Sequence, residues 1–141
     1  VNGWCKDTGK LEDLLEANRL VLEKQEASIK GKVDKASKIV GEVVIEKGAE
    51  VVHSTIRGPA IIGERSRIEN SYVGPFTSIY HDSTLRHSEI EHSLVLEHSM
   101  IENIKRIEDS LIGQNAVVTQ SNSKPSAYRI MIGDSSRVEI P

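Results

Sequence analysis

The 141-residue chain carries 18 basic and 21 acidic side chains, which leaves a formal net charge of −3 at neutral pH. This balance provides no electrostatic attraction for nucleic acid or for an anionic membrane, and we expect neither as a partner. No apolar stretch approaches the ~20 residues that are needed to span a bilayer. The single cysteine, Cys5, excludes an internal disulfide framework and is typical of a reducing compartment, so we expect a cytoplasmic protein.

The first predicted element is a helix over residues 10–29, where leucine and valine recur mainly at three- and four-residue spacings. Asp7 or Thr8 is expected to cap its start, because side-chain oxygens of these types accept hydrogen bonds from the free amides of a first turn. Gly31 is expected to end the helix, since glycine readily adopts the backbone conformation that follows a last turn.

After this helix the sequence repeats every seventeen residues. Within each repeat, branched aliphatic residues step by 6, 6 and 5 positions, a period that suits a three-residue strand followed by a corner and not a helix. We therefore predict a parallel β-helix of roughly five coils over residues 33–118, in which each aliphatic side chain stacks inside on its equivalent one coil away. The series are Ile45, Ile62, Ile79 and Leu96; Val51, Ile68 and Leu85; Ile56, Val73, Ile90 and Ile107; and, among serines, Ser54, Ser71 and Ser88.

The carboxyl-terminal third departs from the regular repeat. The fourth coil is expected to be one residue short, because the steps that follow Leu96 are 5, 6 and 5 residues. The polar, proline-containing segment 119–126 is predicted to be a loop that leaves the stack. Residues 131–141 regain the repeat pattern, so we predict a last strand or a cap there, because an open strand edge invites further pairing.

Apolar residues also flank the inward series, at Val44, Val52, Tyr72, Leu94, Val95 and Leu111. Neighbours of an inward residue in a strand point outward, so several of these side chains are expected on the surface. Exposed apolar stripes usually mark an interface, and a closed threefold assembly leaves no growing edge. We therefore predict a homo-oligomer, with a trimer favoured. The alternative is that this surface covers another domain of the same polypeptide.

The hexads IGERSR (62–67), VGPFTS (73–78) and IGQNAV (112–117) resemble the hexapeptide repeat of left-handed parallel β-helices. This resemblance implies the left hand, whereas the spacing alone predicts a parallel β-helix. The predicted fold class is mainly β, a left-handed parallel β-helix preceded by one α-helix.

The histidines stand in columns of the repeat, with His53, Asn70 and His87 in one and His81 and His98 in another. The set of His53, His87 and His92 resembles the ligand spacing of γ-class carbonic anhydrases, trimeric left-handed β-helices that hold Zn²⁺ between subunits. That resemblance implies a stand-alone metalloenzyme. Left-handed β-helix acyltransferases likewise use a histidine at a subunit interface as general base. The competing interpretation, which we favour, places the histidines at polar corners on the solvent face.

The segment GWCKDTGKLEDLLEANRLVLE (3–23) resembles the end of the catalytic domain in sugar-1-phosphate nucleotidyltransferases, in particular the long form of glucose-1-phosphate thymidylyltransferase. Segments 67–79, 86–104, 106–118 and 131–140 are similar to that family's carboxyl-terminal region in order and spacing. The resemblance implies that Asp7, in the D-T-G motif, helps to hold a catalytic Mg²⁺ against the nucleotide and sugar phosphates. A hard divalent cation with carboxylate ligands suits such anions.

These features divide the chain into two predicted parts. Residues 1–31 are expected to be the loop and helix that end a nucleotidyltransferase domain, and residues 32–141 a left-handed β-helix domain with a C-terminal capping segment. The family's nucleotide-binding loop is not in this sequence, so we expect an inactive fragment of a longer polypeptide.

The function implied by the resemblance is an assembly or regulatory domain. The parent enzyme would convert dTTP and glucose 1-phosphate to dTDP-glucose and pyrophosphate. The expected partners are its own N-terminal catalytic domain, the nucleotide and the sugar phosphate. A stand-alone metalloenzyme and a purely structural oligomerisation module are the alternatives.

Overall fold

The computed structural model describes residues 7–120, 127–128, 130–133 and 136–141, with the backbone alone at 7–9. In these residues one helix precedes a series of short strands, and none of the described helical residues forms a span long and apolar enough to cross a membrane. The elements are α1 (Asp7–Glu23), β1 (Ser28–Ile29), β2 (Lys32–Val33), β3 (Lys38–Val40), β4 (Val43–Ile45), β5 (Glu50–Val52), β6 (Thr55–Arg57), β7 (Ala60–Ile62), β8 (Arg67–Glu69), β9 (Tyr72–Val73), β10 (Thr77–Ile79), β11 (Thr84–Arg86), β12 (Glu89–Glu91), β13 (Leu94–Val95), β14 (Met100–Glu102), β15 (Ile107–Glu108), β16 (Leu111–Ile112) and β17 (Val117–Thr119).

The strands form three parallel sheets, and each turn of the chain contributes one strand to each sheet. Sheet 1 has the order β1-β4-β7-β10-β13-β16, sheet 2 the order β2-β5-β8-β11-β14-β17, and sheet 3 the order β3-β6-β9-β12-β15. The predicted mainly β fold, a parallel β-helix preceded by one α-helix, is therefore confirmed as a β-solenoid of about five turns with one helix.

The inward aliphatic side chains stack in three columns, one for each sheet. In sheet 1, Ile45 pairs with Ile62 and Ile62 with Ile79, and all three are at most 1% exposed. Because each inward residue lies over its equivalent in the next turn, the seventeen-residue period becomes a continuous apolar core. The other columns run through Val33, Val51, Ile68, Leu85, Ile101 and Val118, and through Ile39, Ile56, Val73, Ile90 and Ile107.

One member of the predicted sheet 1 series is wrong. Ile79 pairs with Val95, sixteen residues later, and Val95 pairs with Ile112, whereas Leu96 is half-buried at the corner that follows β13. The shortened turn therefore lacks one residue in the corner between β12 and β13, and not in the corner after β13. In this register Leu94 points out of sheet 1 and yet is only 7% exposed, because it lies on the face where α1 packs.

Buried serines join the corners of successive turns. The amide of Ser88 donates to the Ser71 hydroxyl at 3.1 Å, and the amide of Ser71 donates to the Ser54 hydroxyl at 3.0 Å. Each hydroxyl in turn donates to a carbonyl two residues earlier, as Ser71 does to Glu69 at 2.7 Å. The repeated serines therefore satisfy backbone amides that leave the sheets.

The helix and the carboxyl-terminal segment differ from their predicted bounds. The helix ends at Glu23, and Ser28–Ile29 instead forms β1, which pairs with β4. Gly31 does not end the helix: a Cβ there would lie 2.5 Å from the Ala49 carbonyl oxygen, so glycine is needed for close packing on the next turn. The described residues 130–133 and 136–141 form no strand and are exposed, so they do not form the predicted last strand, and the alternative of a cap stays a prediction. Most of the predicted loop, residues 121–126, lies outside the described residues.

Candidate functional site

The predicted histidine sites lie at the corners of the solenoid. His53, Asn70 and His87 have positive φ values of 45°, 48° and 48° at the corner between sheets 2 and 3, which confirms this column. His92, with φ of 50°, lies at the corner between sheets 3 and 1. Within one chain the carbonic-anhydrase-like set of His53, His87 and His92 is therefore divided between two edges. His53 and His87 are exposed and His92 is half-buried, so the interpretation of these residues as polar corners is supported, and the stand-alone zinc enzyme is not favoured.

Two of these histidines have carboxylate partners. The Nδ1 atom of His92 lies 2.5 Å from Asp109 Oδ1. The backbone amide of His53 donates to both oxygens of Asp34 at 3.1 and 3.2 Å. The pKa of Asp34 is lowered, chiefly because the Ser37 hydroxyl donates to it at 2.5 Å, with the His53 amide adding to the effect. These contacts give each corner a local structural role.

The corner between sheets 1 and 2 gathers a different group. His81 Nδ1 lies 2.7 Å from Asp82 Oδ2, and the His81 and His98 rings meet edge to face with centroids 5.3 Å apart. Arg65 binds both oxygens of Asp82, through Nε at 2.9 Å and Nη2 at 3.0 Å. The Arg65 guanidinium, followed by His81, holds the pKa of the Asp82 carboxyl well below its usual range.

The predicted column of His81 and His98 is off by one residue. Leu85 pairs with Ile101 across sixteen residues, so the residue equivalent to His98 in the preceding turn is Asp82. Both have the same left-handed backbone, with φ of 57° at Asp82 and 59° at His98. The shortened turn therefore brings His98 beside a carboxylate as well as beside His81.

A polar clamp fixes α1 on sheet 1. The Asn18 side chain donates to the Phe76 carbonyl at 3.2 Å and accepts from the Ser78 hydroxyl at 2.6 Å. Sequence reasoning missed this clamp, although an asparagine among helix-forming residues is a usable signal because its intrinsic helix propensity is low. Leu15 and Leu22 are buried at 4% and 1% exposure. The clamp and the buried leucines hold the helix on the outer face of β10.

An open groove lies between α1 and sheet 1. Its volume is about 540 Å³ and its lining is mostly apolar. The residues that line it include Leu14, Ala17 and Val21 from the helix and Ile61, Tyr80 and Leu94 from the sheet. His81, at the corner between sheets 1 and 2, borders one side of it.

The six apolar residues that were predicted to point outward have different surroundings in the structure. Val44, Leu94 and Leu111 align along the outer face of sheet 1, the sheet that carries α1, whereas Val95 points inward at 2% exposure and was wrongly placed outside. Val52 in sheet 2 and Tyr72 in sheet 3 are half-buried. Of the predicted outward residues, Leu94 therefore lies beside the chain's own helix, whereas Leu111 on the same face is 39% exposed.

Asp7, the predicted metal ligand, is the first residue of α1. Its side chain lies outside the described residues, as do Trp4 and Cys5 in full. The magnesium role of Asp7 stays a prediction.

The geometry defines a parallel β-solenoid of hexapeptide-like turns, with a helix clamped to one face. No family model matches the chain. It is 47% identical over 140 residues to a glucose-1-phosphate thymidylyltransferase of Streptomyces griseus and 49% identical over 140 residues to one of Streptomyces antibioticus; each match covers 99% of this chain and 39% of the relative. It is also 37% identical over 143 residues to the low-salt glycan biosynthesis nucleotidyltransferase Agl11 of Haloferax volcanii.

The chain thus spans about two fifths of the length of the curated relatives that it matches. It belongs with the sugar-1-phosphate nucleotidyltransferases, as a carboxyl-terminal part related to the glucose-1-phosphate thymidylyltransferases.

Proposed function

We propose that this chain is the assembly domain of an enzyme that joins dTTP and glucose 1-phosphate to give dTDP-glucose and pyrophosphate. The observation that carries this proposal is the 47–49% identity to two thymidylyltransferases over 99% of the chain. The match extends through the α1 segment, so it does not rest on the hexads alone, which recur in unrelated β-helices.

In this proposal α1 is the link between the catalytic domain and the solenoid. One side of the helix is held on sheet 1 by Asn18 and by buried leucines. Leu20, on its opposite side, is 47% exposed, and Val21, which also borders the groove, is 60% exposed. We place the catalytic domain against these two residues and propose the division into residues 1–31 and 32–141, with β1 of the first part paired with β4 of the solenoid.

We further propose that Asp7 contacts the catalytic divalent cation, Mg²⁺, in the whole enzyme. The supporting features are its place at the start of α1 and the chemistry of the reaction. A hard cation neutralises the phosphates that the reaction brings together, and carboxylate oxygens are its preferred protein ligands. When bound, the cation would polarise the α-phosphate of the nucleotide. We propose a cytoplasmic location for the enzyme, because nucleoside triphosphates and sugar phosphates are found in the cytoplasm.

The test compares Asp7→Asn with Asp13→Asn in the whole enzyme. Asp13 is an exposed carboxylate of the same helix and serves as the matched control. We expect Asp7→Asn to lower kcat by about 100-fold, because loss of a metal ligand removes several kcal/mol of charge stabilisation. Asp13→Asn should stay within about twofold, since exposed substitutions have small effects. Pyrophosphate release with dTTP and with UTP is the measurement.

Three outcomes would contradict the proposal. Equal activity of the two variants removes Asp7 from the cation site. A preference for UTP over dTTP removes the nucleotide assignment. Pyrophosphate release by the 141-residue chain alone contradicts the assignment of this part to assembly.

For assembly we propose a trimer, packed through sheets 2 and 3, because α1 occupies sheet 1. Val52 in sheet 2 and Tyr72 in sheet 3 are the half-buried apolar side chains that would lie in the interface. Light scattering at micromolar concentration should give three times the 15.6 kDa mass of the chain. Val52→Lys together with Tyr72→Lys should give a monomer, whereas Leu111→Lys on sheet 1 should leave the trimer intact. A monomeric wild-type chain would contradict this assignment.

A further inference from the structure

We propose that the corner between sheets 1 and 2 binds a divalent transition metal ion of the Zn²⁺ class through His81, His98 and Asp82. The nearest ligand atoms of these three residues all lie within 4.8 Å of one another. Ligands of a tetrahedral zinc ion stand about 3.3 Å apart, given bonds of ~2.0–2.1 Å. His81 Nδ1 and Asp82 Oδ2 now share a hydrogen bond at 2.7 Å, and these two atoms would move slightly apart to bind one ion. A rotation of the exposed His98 ring would complete the set.

The backbone holds these residues in place before any ion binds. Asp82 and His98 occupy equivalent corner positions in adjacent turns, and the His98 amide donates to the His81 carbonyl at 3.2 Å. Little conformational entropy is therefore lost when the ligands bind an ion, because the fold already orders their backbone. His81 and His98 are exposed, which leaves solvent access for a water molecule as a fourth ligand.

The donor set selects the class of ion. Two imidazoles and one carboxylate suit Zn²⁺, Co²⁺, Ni²⁺ or Cu²⁺, whereas Mg²⁺ prefers oxygen ligands. This site is therefore distinct in chemistry from the proposed magnesium site at Asp7. Among the described residues, the other histidine–carboxylate pairs, His92 with Asp109 and His53 with Asp34, belong to no such group of three.

Arg65 is the neighbour that sets the affinity. Its guanidinium binds both Asp82 oxygens and adds a positive charge beside the ion. Each carboxylate oxygen has two lone pairs, so Asp82 can keep Arg65 and still bind a metal. The guanidinium nevertheless opposes a second cation. Replacing Arg65 with a neutral residue should tighten metal binding.

The repeat itself supplies matched substitutions. His98→Asn introduces the residue found at the equivalent corner of the next turn, Asn115, and asparagine tolerates the positive φ. The control is His87→Asn, at a corner whose equivalents in the adjacent turns are Asn70 and Asn103. His81→Gln introduces the residue type of Gln114, which precedes Asn115 as His81 precedes Asp82.

The experiment titrates the untagged, chelator-treated chain with Co²⁺, followed by its visible absorption, and with Zn²⁺ by calorimetry. Wild type should bind one ion per chain, and His81→Gln and His98→Asn should each weaken binding by about tenfold or more. His87→Asn should stay within about twofold, because it lies on another edge. Circular dichroism checks that each variant is folded.

Several results would overturn the site. Absence of Co²⁺ and Zn²⁺ binding by the wild type does so, and so does a loss in His87→Asn equal to that in His98→Asn. Arg65→Gln should bind Zn²⁺ several-fold more tightly. Unchanged or weaker binding by that variant removes Asp82 from the ligand set. None of these readouts depends on nucleotidyltransferase activity, so failure of this site leaves the proposed function standing.

Discussion

The middle turns of the solenoid and its last turn are built from the same kind of hexad, but they have different surroundings. Ile62 and Ile79 are at most 1% exposed, whereas Ile112, in the same column, is half-buried. Outward residues follow the same trend, and Val117 near the end is 65% exposed. Burial in a solenoid comes from the turns on either side, so identical patterns carry different energies at the middle and at the end.

Two glycines in equivalent hexads show the same contrast. A Cβ on Gly63 would lie 2.6 Å from the His81 amide nitrogen, whereas a Cβ on Gly113 would meet nothing within 4 Å. Each glycine follows an inward isoleucine of sheet 1. The tight contact at Gly63 comes from the turn stacked on it, because backbone atoms of residues 80 and 81 fill the space.

The largest expected difference between the two regions comes from a buried charge. Ile79→Asp places an unpaired carboxylate in the middle of the stack and should cost more than about 4 kcal/mol, enough to abolish cooperative unfolding. Ile112→Asp should cost about 1–2 kcal/mol, since water reaches this position. Thermal and urea unfolding of both variants is the measurement. Equal losses would show that the last turn is as well covered as the middle.

The glycine pair should give the next largest contrast. Gly63→Ala forces a methyl group onto the backbone of the next turn and should destabilise the fold by about 1–3 kcal/mol. Gly113→Ala should be neutral or stabilise by up to ~1 kcal/mol, because alanine restricts the unfolded chain. The measurement is the urea midpoint of each variant, compared at an unchanged dependence of the unfolding free energy on urea concentration. A tolerated Gly63→Ala would contradict the close approach of the two turns.

The serine ladder provides a third pair. Ser71→Ala leaves the buried Ser88 amide without its acceptor and should cost about 1–3 kcal/mol. Ser110, in the last turn, donates to the Glu108 carbonyl, and no amide in the described part of the chain donates to its hydroxyl. Ser110→Ala should therefore cost less than about 1 kcal/mol. Hydrogen exchange at the Ser88 amide should rise in Ser71→Ala, and unchanged protection would refute the ladder.

The smallest expected effect is a dependence on pH at the corner of Asp82. Its pKa is lower in the folded chain than in the unfolded chain, because Arg65 and His81 stabilise the carboxylate. This contribution to stability is present above the ordinary carboxyl pKa of about 3.9 and is lost as the pH falls through the lower folded value. The gap in unfolding free energy between wild type and Asp82→Asn should therefore narrow below about pH 4. Metal-free protein is required, and a constant gap from pH 6 to 2.5 would contradict the prediction.

Most of the core was predictable because the period determines which residues face inward. Ile62, Ile79 and Ile90 were assigned correctly from spacing alone. Val95 was not, because Val95 and Leu96 are both apolar and adjacent. Either one could be the inward residue in a turn that is one residue short. The choice depends on α1, which shelters Leu94 only when Val95 points inward.

The candidate sites were less predictable than the core. The corner positions of His53 and His87 followed from the repeat, and their polar character agreed with exposure. The approach of His98 to Asp82 did not follow, because it depends on where the shortened turn loses its residue. The clamp of Asn18 on Ser78 joins residues sixty positions apart, one in the segment 3–23 and one in the hexad 73–78, and neither pattern indicates that the two side chains pair.

The sequence by itself determined the periodic part of this protein: a parallel solenoid, its three inward columns in the regular turns, and its family. These properties repeat along the chain, so many equivalent positions indicate the same structure and one atypical residue does not change the prediction. The tertiary structure decided the features that occur once. These are the end of α1 at Glu23, the inward choice of Val95, and the meeting of His81, Asp82 and His98. Each depends on packing between distant segments, where a competing local preference of less than about 1 kcal/mol is readily overruled.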